Sequence, residues 1–183
     1  MGVTIIAGSA RGRPLVTVPG LETRVATSML RTSLFDILRL RLEGAAVLDL
    51  FAGIGSFGLE ALSRGAARAT FVERNPACLR AIRENLAKLG FEGAVIRGDA
   101  FRYPAGLDSA VGYDIVFVDP PYAEYEFPRV ETLVKRLREC DSLAAEGVLV
   151  LKHPKRQGFP GADDTRNYGG TQLSFYSKKA PGV

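Results

Sequence analysis

The sequence predicts an α/β protein built around a doubly wound, mostly parallel sheet, and three observations lead to this prediction. From residue 45 onward, short apolar runs of strand length alternate with segments of helical periodicity, the pattern of a parallel sheet covered by helices. The run at residues 113–118 is almost continuously apolar, as a strand buried on both faces should be. Residues 165–178 hold two β-rich runs around a Gly-Gly pair, which predicts a final antiparallel hairpin.

The individual elements follow from the same patterns. We expect a Rossmann-like sheet of seven strands, five of them parallel and two in the hairpin. Helices are expected from the glycine-rich turn to residue 64, from residue 75 or 76 to 89, and from 127 to 140; Pro76 and Gly90 mark the limits of the second. The parallel strands are placed at residues 47–51, 69–73, 94–97, 113–118 and 147–151, and the hairpin strands at 165–168 and 171–178.

The segment before the sheet predicts a small extension made of a hairpin and a helix. Residues 4–8 and 15–19 have the composition of short strands joined by a turn at 9–13, and a helix should run from about residue 27 to 42. One face of this helix should be buried and its arginines should lie toward solvent. The buried face comprises Leu30, Leu34, Ile37, Leu38 and Leu42, and the arginines are Arg31, Arg39 and Arg41.

Length and composition restrict the class of protein. The 183 residues fit one globular domain. No apolar run approaches the roughly 20 residues of a membrane helix, and no basic secretory segment precedes Ile5. The two cysteines, Cys78 and Cys140, fit a reducing compartment, so a cytoplasmic location is expected. With a single histidine, His153, and no paired cysteines we expect no metal site, and we interpret His153 as an incidental surface residue.

The positive charge is concentrated near the start of the chain. The net charge is +4 and the pI is about 9.2, an excess that permits a polyanionic partner. Every basic residue before position 44 is arginine, whose guanidinium suits bidentate phosphate contacts. A solvated surface is the alternative interpretation. The arginines that we expect to contact a nucleic-acid substrate are Arg11, Arg13, Arg24 and Arg31.

A glycine-rich turn follows the first predicted strand. Gly53, Gly55 and Gly58 fit the G-x-G-x-x-G pattern, and Glu73 lies 20 positions after Gly53. This spacing also describes a dinucleotide site, so an NAD-dependent oxidoreductase is an alternative. Asp49, four residues before Gly53, favours a different ligand, because a carboxylate there suits a cationic group better than a pyrophosphate.

Acidic residues stand at the ends of three successive strands. Asp49 suits the cationic methionine group of S-adenosylmethionine, Glu73 can accept its ribose hydroxyls, and Asp99 can accept its adenine amino group. Each acid alone has an alternative as a helix cap or turn residue, but the three together favour S-adenosyl-L-methionine as the cofactor. The residues expected to contact it are Asp49, Phe51, Gly53, Gly55, Glu73, Arg74, Asp99 and Ala100.

The fourth parallel strand ends in the most specific motif of the chain, Asp119-Pro120-Pro121-Tyr122. The two prolines fix a rigid turn. An exocyclic base amine is a poor nucleophile because its lone pair is delocalised into the ring. The Asp119 carboxylate and the Pro120 carbonyl would accept its two N–H groups and orient the lone pair, and Tyr122 would stack on the base. A purely structural loop is the alternative.

These motifs resemble a known family. Residues 49–66 and 117–122 resemble the RsmD-like family of 16S ribosomal RNA guanine-N2 methyltransferases, and residues 5–15, with their Arg-Gly-Arg turn, resemble the opening of that family. The resemblance spans essentially the whole chain. The family typically has Arg-Pro-Thr, and then Arg-Glu before a Leu-Phe pair. This chain keeps Arg24, Arg31 and their spacing but replaces the Pro, Thr and Glu.

The resemblance implies a class I, S-adenosylmethionine-dependent enzyme that methylates the N2 amine of a guanine in 16S ribosomal RNA, free or in a small-subunit assembly intermediate. Adenine-N6 methylation of DNA or RNA stays open, because the Asp-Pro-Pro-Tyr motif is shared with such enzymes. A binding module without activity is disfavoured by the intact Asp119 turn. The implied division is an RNA-contacting extension at 1–43, a cofactor-binding catalytic domain at 44–179 and a flexible tail at 180–183. The segment at 152–155 is more basic than the resemblance implies.

Overall fold

The computed structural model describes residues 2–20, 27–102, 112–121, 126–156 and 158–179. Within them, seven strands and four α-helices alternate over most of the chain. The strands are β1 (Ala46–Leu50), β2 (Arg68–Glu73), β3 (Ala94–Arg97), β4 (Tyr113–Val118), β5 (Leu143–Pro154), β6 (Asp164–Tyr168) and β7 (Thr171–Ser177). The helices are α1 (Ser28–Ile37), α2 (Ser56–Ser63), α3 (Pro76–Leu89) and α4 (Phe127–Glu139), and a 3₁₀ helix at Arg39–Arg41 follows α1.

The seven strands form one sheet in the order β3-β2-β1-β4-β5-β7-β6. The first five are parallel, and β7 runs antiparallel to both β5 and β6. The strand order reverses between β1 and β4, so the carboxyl ends of these two strands border the crevice in which doubly wound sheets bind ligands. The predicted class I methyltransferase fold, a mostly parallel sheet with a terminal hairpin, is confirmed.

The core lies on both faces of the sheet. On one face, residues of α1, α2 and α3 pack on Val47, Phe71 and Phe117. On the other face, α4 packs on Leu48, Val116 and their neighbours. Since side chains alternate along a strand, odd-numbered residues of β1 and β4 share the face of α2, which places Asp49 toward that helix.

Strand β5 is longer than the sequence predicted. We expected residues 147–151, whereas β5 extends from residue 143 to 154. Its register explains the difference, because Leu143 still pairs with β4 and Pro154 still pairs with Thr171 of β7. Two partner strands of different extent therefore stabilise a strand longer than its apolar run.

The prediction of two N-terminal strands is wrong. Among the described residues, an isolated antiparallel bridge joins Thr4 to Pro14, and the Ile5 N–H donates to the Arg13 carbonyl at 3.0 Å. Beyond this bridge, the backbone N–H groups of Ile6 and Ala7 donate to the Glu60 carboxylate of α2 at 2.8 and 3.0 Å. The pairing therefore does not extend into two regular strands, and the segment is bonded to α2 instead.

The first helix is also shorter than predicted, and it buries a different face. The α-helix ends at Ile37, and the 3₁₀ helix continues with an Arg41 N–H to Leu38 carbonyl bond of 2.8 Å. Ile37, expected to be buried, is 42% exposed, and Arg31, expected to face solvent, is 2% exposed. The Arg31 guanidinium donates to the Thr4 carbonyl at 2.9 Å, which draws this face of α1 inward.

The N-terminal extension shares its core with the rest of the chain. Ile5, Leu15, Leu34 and Phe35 belong to the same buried cluster as Phe71 of β2. The division at residue 43 remains a prediction, and the tail at 180–183 lies outside the described residues. In the part of the chain that the structure describes, no helix is long and apolar enough to span a membrane.

Candidate active site

The carboxyl ends of β1, β4 and β5 meet at one edge of the sheet. Leu50 of β1 is level with Val118 of β4, and Val118 is level with Leu151 of β5. The next residues along the chain are Asp119, directly after β4, and Lys152 in β5. The two lie side by side, and both are on the α2 face by the alternation of the strands. This register brings the proline-containing turn next to the glycine-rich turn.

The glycine-rich turn connects β1 to α2 through residues that favour glycine. Gly53 and Gly55 have φ values of 57° and 83°, and Gly55 precedes the first residue of α2. Gly58 allows α2 to approach β2, because a Cβ there would lie 2.3 Å from the Phe71 ring. The helix N-terminus is therefore held close to the strand ends, where a ligand can reach its backbone.

Asp49 is the buried acid of this turn. Its side chain is 1% exposed, and its Oδ2 accepts the Gly58 N–H at 2.9 Å. Among the described residues its Oδ1 is buried without a hydrogen-bond partner. Burial raises the pKa of Asp49 well above its ordinary value, the Gly58 bond opposes this, and the charges of Asp119 and Glu73 add to it. Such a carboxylate is suited to a cation supplied by a ligand.

Glu73 closes the glycine-rich turn from the end of β2. Its Oε2 accepts the Gly53 N–H at 2.9 Å, and its Oε1 accepts the N–H groups of Arg74 and Asn75, both at 2.8 Å. A carboxylate has about four acceptor positions, so three are already used. Glu73 thus orients the turn, and the room left for ribose hydroxyls is smaller than the sequence led us to expect.

Asp99 lies beyond β3 with aromatic neighbours. Its Oδ1 accepts the Phe101 N–H at 3.0 Å, and its Oδ2 lies 3.5 Å from the Arg129 guanidinium of α4. That guanidinium stacks on the Phe101 ring at 3.9 Å, and Phe101 meets the Phe51 ring edge to face at 4.8 Å. Ala100, which lies between Asp99 and Phe101 in the sequence, is buried. Phe51, Ala100 and Phe101 thus form an apolar wall beside the Asp99 carboxylate and the Arg129 guanidinium, a suitable surface for a purine ring.

Phe51 has an unusual backbone at the end of β1. Its φ of 60° makes it the one residue other than glycine with positive φ among those described. A non-glycine residue in this region costs about 1–3 kcal/mol and is retained where the surroundings require it. The ring that this backbone carries meets Phe101 with a centroid distance of 4.8 Å.

Asp119 and the two prolines form the other side of the edge. Asp119 Oδ1 accepts a hydrogen bond from Lys152 Nζ at 2.7 Å, and Pro120 is buried next to it. Burial raises the pKa of Asp119, and the charge and hydrogen bond of Lys152 oppose the rise. The charge of Asp119 also raises the pKa of Asp49, so the two acids are close enough to interact electrostatically.

The predicted arginine cluster is only partly assembled. Arg11 and Arg13 are exposed on the N-terminal turn, where the Arg13 guanidinium donates to the Lys88 carbonyl at the end of α3. Arg31 is buried instead, 4.0 Å from Glu60. The expectation that Arg31 faces solvent is wrong, and its guanidinium is directed into the domain. Arg24 and Tyr122 lie outside the described residues.

Two features of this edge were missed from the sequence. Lys152 was left without a role, although its position one residue past the apolar run of β5 could have placed it beside Asp119. His153 was expected at the surface but is fully buried, with Nε2 2.8 Å from Ser174 Oγ. The alternation of β5 explains both: successive residues face opposite sides of the sheet.

The residues of this edge fit S-adenosyl-L-methionine. The unpartnered Asp49 Oδ1 suits its ammonium, and the wall at Phe51 and Phe101 suits its adenine. Gly53 has no side chain to block the approach of the cofactor, and no atom lies within 4 Å of the position of a Cβ there. A pyrophosphate would instead meet the buried Asp49 carboxylate, so the NAD alternative is disfavoured.

Sheet order, glycine-rich turn and buried acid together define a class I methyltransferase, the class that uses S-adenosyl-L-methionine. A family model described as "Conserved hypothetical protein 95" matches residues 3–177, and the chain belongs to this family. The Ribosomal RNA small subunit methyltransferase D of Escherichia coli (strain K12) is 36% identical over 161 residues, covering 86% of this chain and 78% of that protein. The predicted resemblance to RsmD-like methyltransferases is confirmed.

Solved structures agree with the fold. The structure of yhhF from Escherichia coli has a TM-score of 0.84 at 29% identity and covers 99% of this chain and 100% of that one. The Thermus thermophilus 16S rRNA N2 G1207 methyltransferase RsmC, solved with AdoMet and guanosine, has a TM-score of 0.69 at 20% identity, over 89% of this chain and 46% of that one. This second likeness concerns the fold alone.

Proposed function

We propose that this chain methylates the exocyclic N2 amine of a guanine in 16S ribosomal RNA. The relative from Escherichia coli is named for the small-subunit RNA, and the resemblance of residues 5–15 and 117–122 implies the guanine amine. The observation that carries the catalytic assignment is the edge itself, where the unpartnered Asp49 Oδ1 and the Asp119 turn border the same crevice.

Asp49, Glu73 and Asp99 hold the cofactor in this proposal. Asp49 Oδ1 accepts from the ammonium, Glu73 uses its remaining acceptor position for a ribose hydroxyl, and Asp99 lies at the adenine edge. When bound, S-adenosyl-L-methionine supplies a methyl group whose bond to sulfur breaks, with its electron pair, as the new bond to nitrogen forms. The chain adds no covalent intermediate.

Asp119 and Pro120 hold the substrate amine. Its two N–H groups donate to Asp119 Oδ2 and to the Pro120 carbonyl, and the lone pair is then directed toward the methyl group. After transfer the nitrogen carries a positive charge and its proton becomes acidic, so the proton passes to water without a strong base. Catalysis therefore rests on position and on a fixed negative charge beside the developing positive one.

The exposed Arg11 and Arg13 lie on the N-terminal turn, where we propose that they contact RNA phosphates. The turn is fixed on the domain by Glu60 and by Ser63, whose Oγ accepts the Ala10 N–H at 3.0 Å. Rigid attachment would set the position of bound RNA relative to the catalytic edge. The contact that we propose uses Arg11 and Arg13, because Arg31 is buried near Glu60 and Arg24 lies outside the described residues.

Methyl transfer from labelled S-adenosyl-L-methionine tests the proposed function. The substrates are 16S ribosomal RNA, small-subunit particles and duplex DNA, and the products are hydrolysed and separated as nucleosides. We expect N2-methylguanosine from RNA and no label in DNA. Labelled N6-methyladenosine would show that the target base is adenine and not guanine. Label only in DNA would exclude RNA as the substrate.

A further inference from the structure

The catalytic edge contains a part-buried ion pair whose lysine the proposed reaction does not use directly. Lys152 Nζ lies 2.7 Å from Asp119 Oδ1, and the two side chains are 12% and 14% exposed. Burying two charges is costly unless they are paired with good geometry. A pair retained at the catalytic turn therefore calls for a reason beyond stability.

The register of the sheet fixes this pair. Val118 and Leu151 are neighbours in β4 and β5, so the next residue of each strand projects from the same edge. Lys152 belongs to β5, which is held on both sides by β4 and β7. Its ammonium is thus carried by a rigid strand, while Asp119 begins the turn that receives the substrate.

We propose that Lys152 is a positioning residue for the methyl transfer: it holds Oδ1 of Asp119, keeps that side chain ionised, and leaves Oδ2 to the target amine. This inference rests on the proposed function. Among the described residues, Lys152 is the hydrogen-bond donor to the Asp119 carboxylate. With Oδ1 engaged, Oδ2 and the Pro120 carbonyl give two acceptors, which matches the two N–H groups of an exocyclic amine.

Electrostatics at the edge require such a cation. The groups that face Asp119 from the described elements are Lys152 on β5 and Asp49 on β1. Burial raises the pKa of Asp119 and so favours its protonated form, and the charge and hydrogen bond of Lys152 oppose this rise. A protonated Asp119 would donate through one oxygen, and the amine would lose an acceptor. Lys152 thus preserves the acceptor on which amine binding depends.

Steady-state kinetics of Lys152→Met test this proposal, with Lys155→Met as the matched control. Lys155 is the exposed cation three residues further along the same segment. We expect Lys152→Met to lower kcat about ten- to a hundredfold, the range for loss of a residue that orients a catalytic group, with the RNA KM nearly unchanged. The acid limb of the kcat profile should move to higher pH, and Lys152→Arg should restore it.

A result of the opposite form would overturn the proposal. If Lys152→Met raises the RNA KM and flattens its salt dependence while kcat and the acid limb stay unchanged, Lys152 binds phosphate. If nothing changes, the pair is structural. If Lys152→Met fails to fold, Lys152→Gln is used for the same measurements, because its amide can still donate to Oδ1 of Asp119 but carries no charge. We expect the Gln variant to fold and to show the shifted acid limb.

Carboxyl ¹³C NMR titration separates this inference from the proposed function. It needs no RNA, and Asp119→Asn assigns the Asp119 signal. We expect the Asp119 pKa to be higher in Lys152→Met than in the unmodified protein or in Lys155→Met. An equal pKa would overturn the role of Lys152 even if RNA is methylated. If RNA is not methylated but the pKa of Asp119 shifts, the proposed function is wrong, whereas the effect of Lys152 on Asp119 is confirmed.

Discussion

The backbone N–H of Gly58 donates to Oδ2 of Asp49 across 2.9 Å and ties the acid of β1 to the first turn of α2. Free N–H groups at a helix N-terminus favour a nearby anion, so one oxygen of Asp49 has a structural partner. The other oxygen, Oδ1, is buried without one among the described residues. The bond to Gly58 therefore explains the burial of one oxygen, and we propose that the other oxygen accepts from the cofactor ammonium.

Asp49→Asn should weaken cofactor binding. The change keeps an acceptor for Gly58 but removes the negative charge that faces the ammonium. We expect the affinity for S-adenosyl-L-methionine to fall about ten- to a hundredfold, the loss expected for a hydrogen bond to a charged group. Calorimetry measures it. Asp114→Asn is the matched control, because Asp114 accepts the Ala46 N–H at 2.8 Å at the start of β1. Equal losses in both variants would contradict a cofactor contact at Asp49.

The stability of the free protein should depend on pH through Asp49. Burial raises its folded-state pKa, so its contribution to stability is present below the unfolded-state pKa of about 3.9 and is lost as pH rises through the folded-state pKa. Asn does not ionise, so the Asp49→Asn variant does not lose this stability as the pH rises. We expect the Tm of the Asn variant to exceed that of the unmodified protein at pH 8, with the difference shrinking toward pH 4. A constant difference would show that Asp49 titrates normally.

Asp119→Ala should abolish most turnover and spare the cofactor. Loss of a preorganised group at a reacting centre lowers rates by about two to three powers of ten. We expect such a fall in kcat for RNA methylation, with S-adenosyl-L-methionine affinity within about threefold of the unmodified value, which is less than 1 kcal/mol. Asp141→Ala, at an exposed acid just beyond α4, controls for general loss of charge. Near-normal kcat in Asp119→Ala would assign the turn a structural role.

Arg11→Ala combined with Arg13→Ala should weaken RNA binding. Each lost phosphate contact lowers the slope of log affinity against log salt by about 0.7 to 0.9. We expect the double variant to show a smaller slope and an unchanged affinity for the cofactor. Lys135→Ala with Arg136→Ala removes two exposed cations from α4, on the opposite face of the sheet, and should leave the slope intact. An unchanged slope in the arginine variant would remove the N-terminal turn from the RNA site.

Gly8→Ala should destabilise the protein more than Gly12→Ala. Both glycines have positive φ, but a Cβ at Gly8 would lie 1.7 Å from the Ser63 carbonyl oxygen, whereas a Cβ at Gly12 has nothing within 4 Å. The conformational cost is about 1–2 kcal/mol at each site, and the steric clash at Gly8 adds about 1–3 kcal/mol. Urea denaturation measures the difference. Equal losses would show that the extension does not dock tightly on α2 in solution.

The sheet was predictable because its signals are local. Alternating apolar runs, Pro76 and Gly90 locate β1 to β4 and α3 within one or two residues. The N-terminal segment was not predictable to the same degree, since its donors bond to Glu60 and Ser63, more than 50 positions away. A composition typical of strands cannot reveal that another element supplies the acceptors.

The sequence analysis predicted the acidic residues of the candidate site but missed its lysine. Asp49, Glu73 and Asp119 each follow from a strand end, a feature that the sequence displays directly. The pairing of Lys152 with Asp119 depends on the register between β4 and β5, which no short motif encodes. The side chain of Arg31 was wrongly expected to face solvent. Helical periodicity identifies the apolar face of a helix, but it does not show that a buried acid such as Glu60 lies next to an arginine.

The Asn85 side chain of α3 accepts the Val16 N–H at 2.6 Å and also donates to the Ile54 carbonyl in the glycine-rich turn at 3.3 Å. The segment that contains Ile6, Ala10 and Val16 is therefore synthesised before Glu60, Ser63 and Asn85, the residues whose side chains accept its N–H groups. Until α2 and α3 have been synthesised, these N–H groups must be solvated by water. Docking of this earlier segment thus depends on helices that are made later.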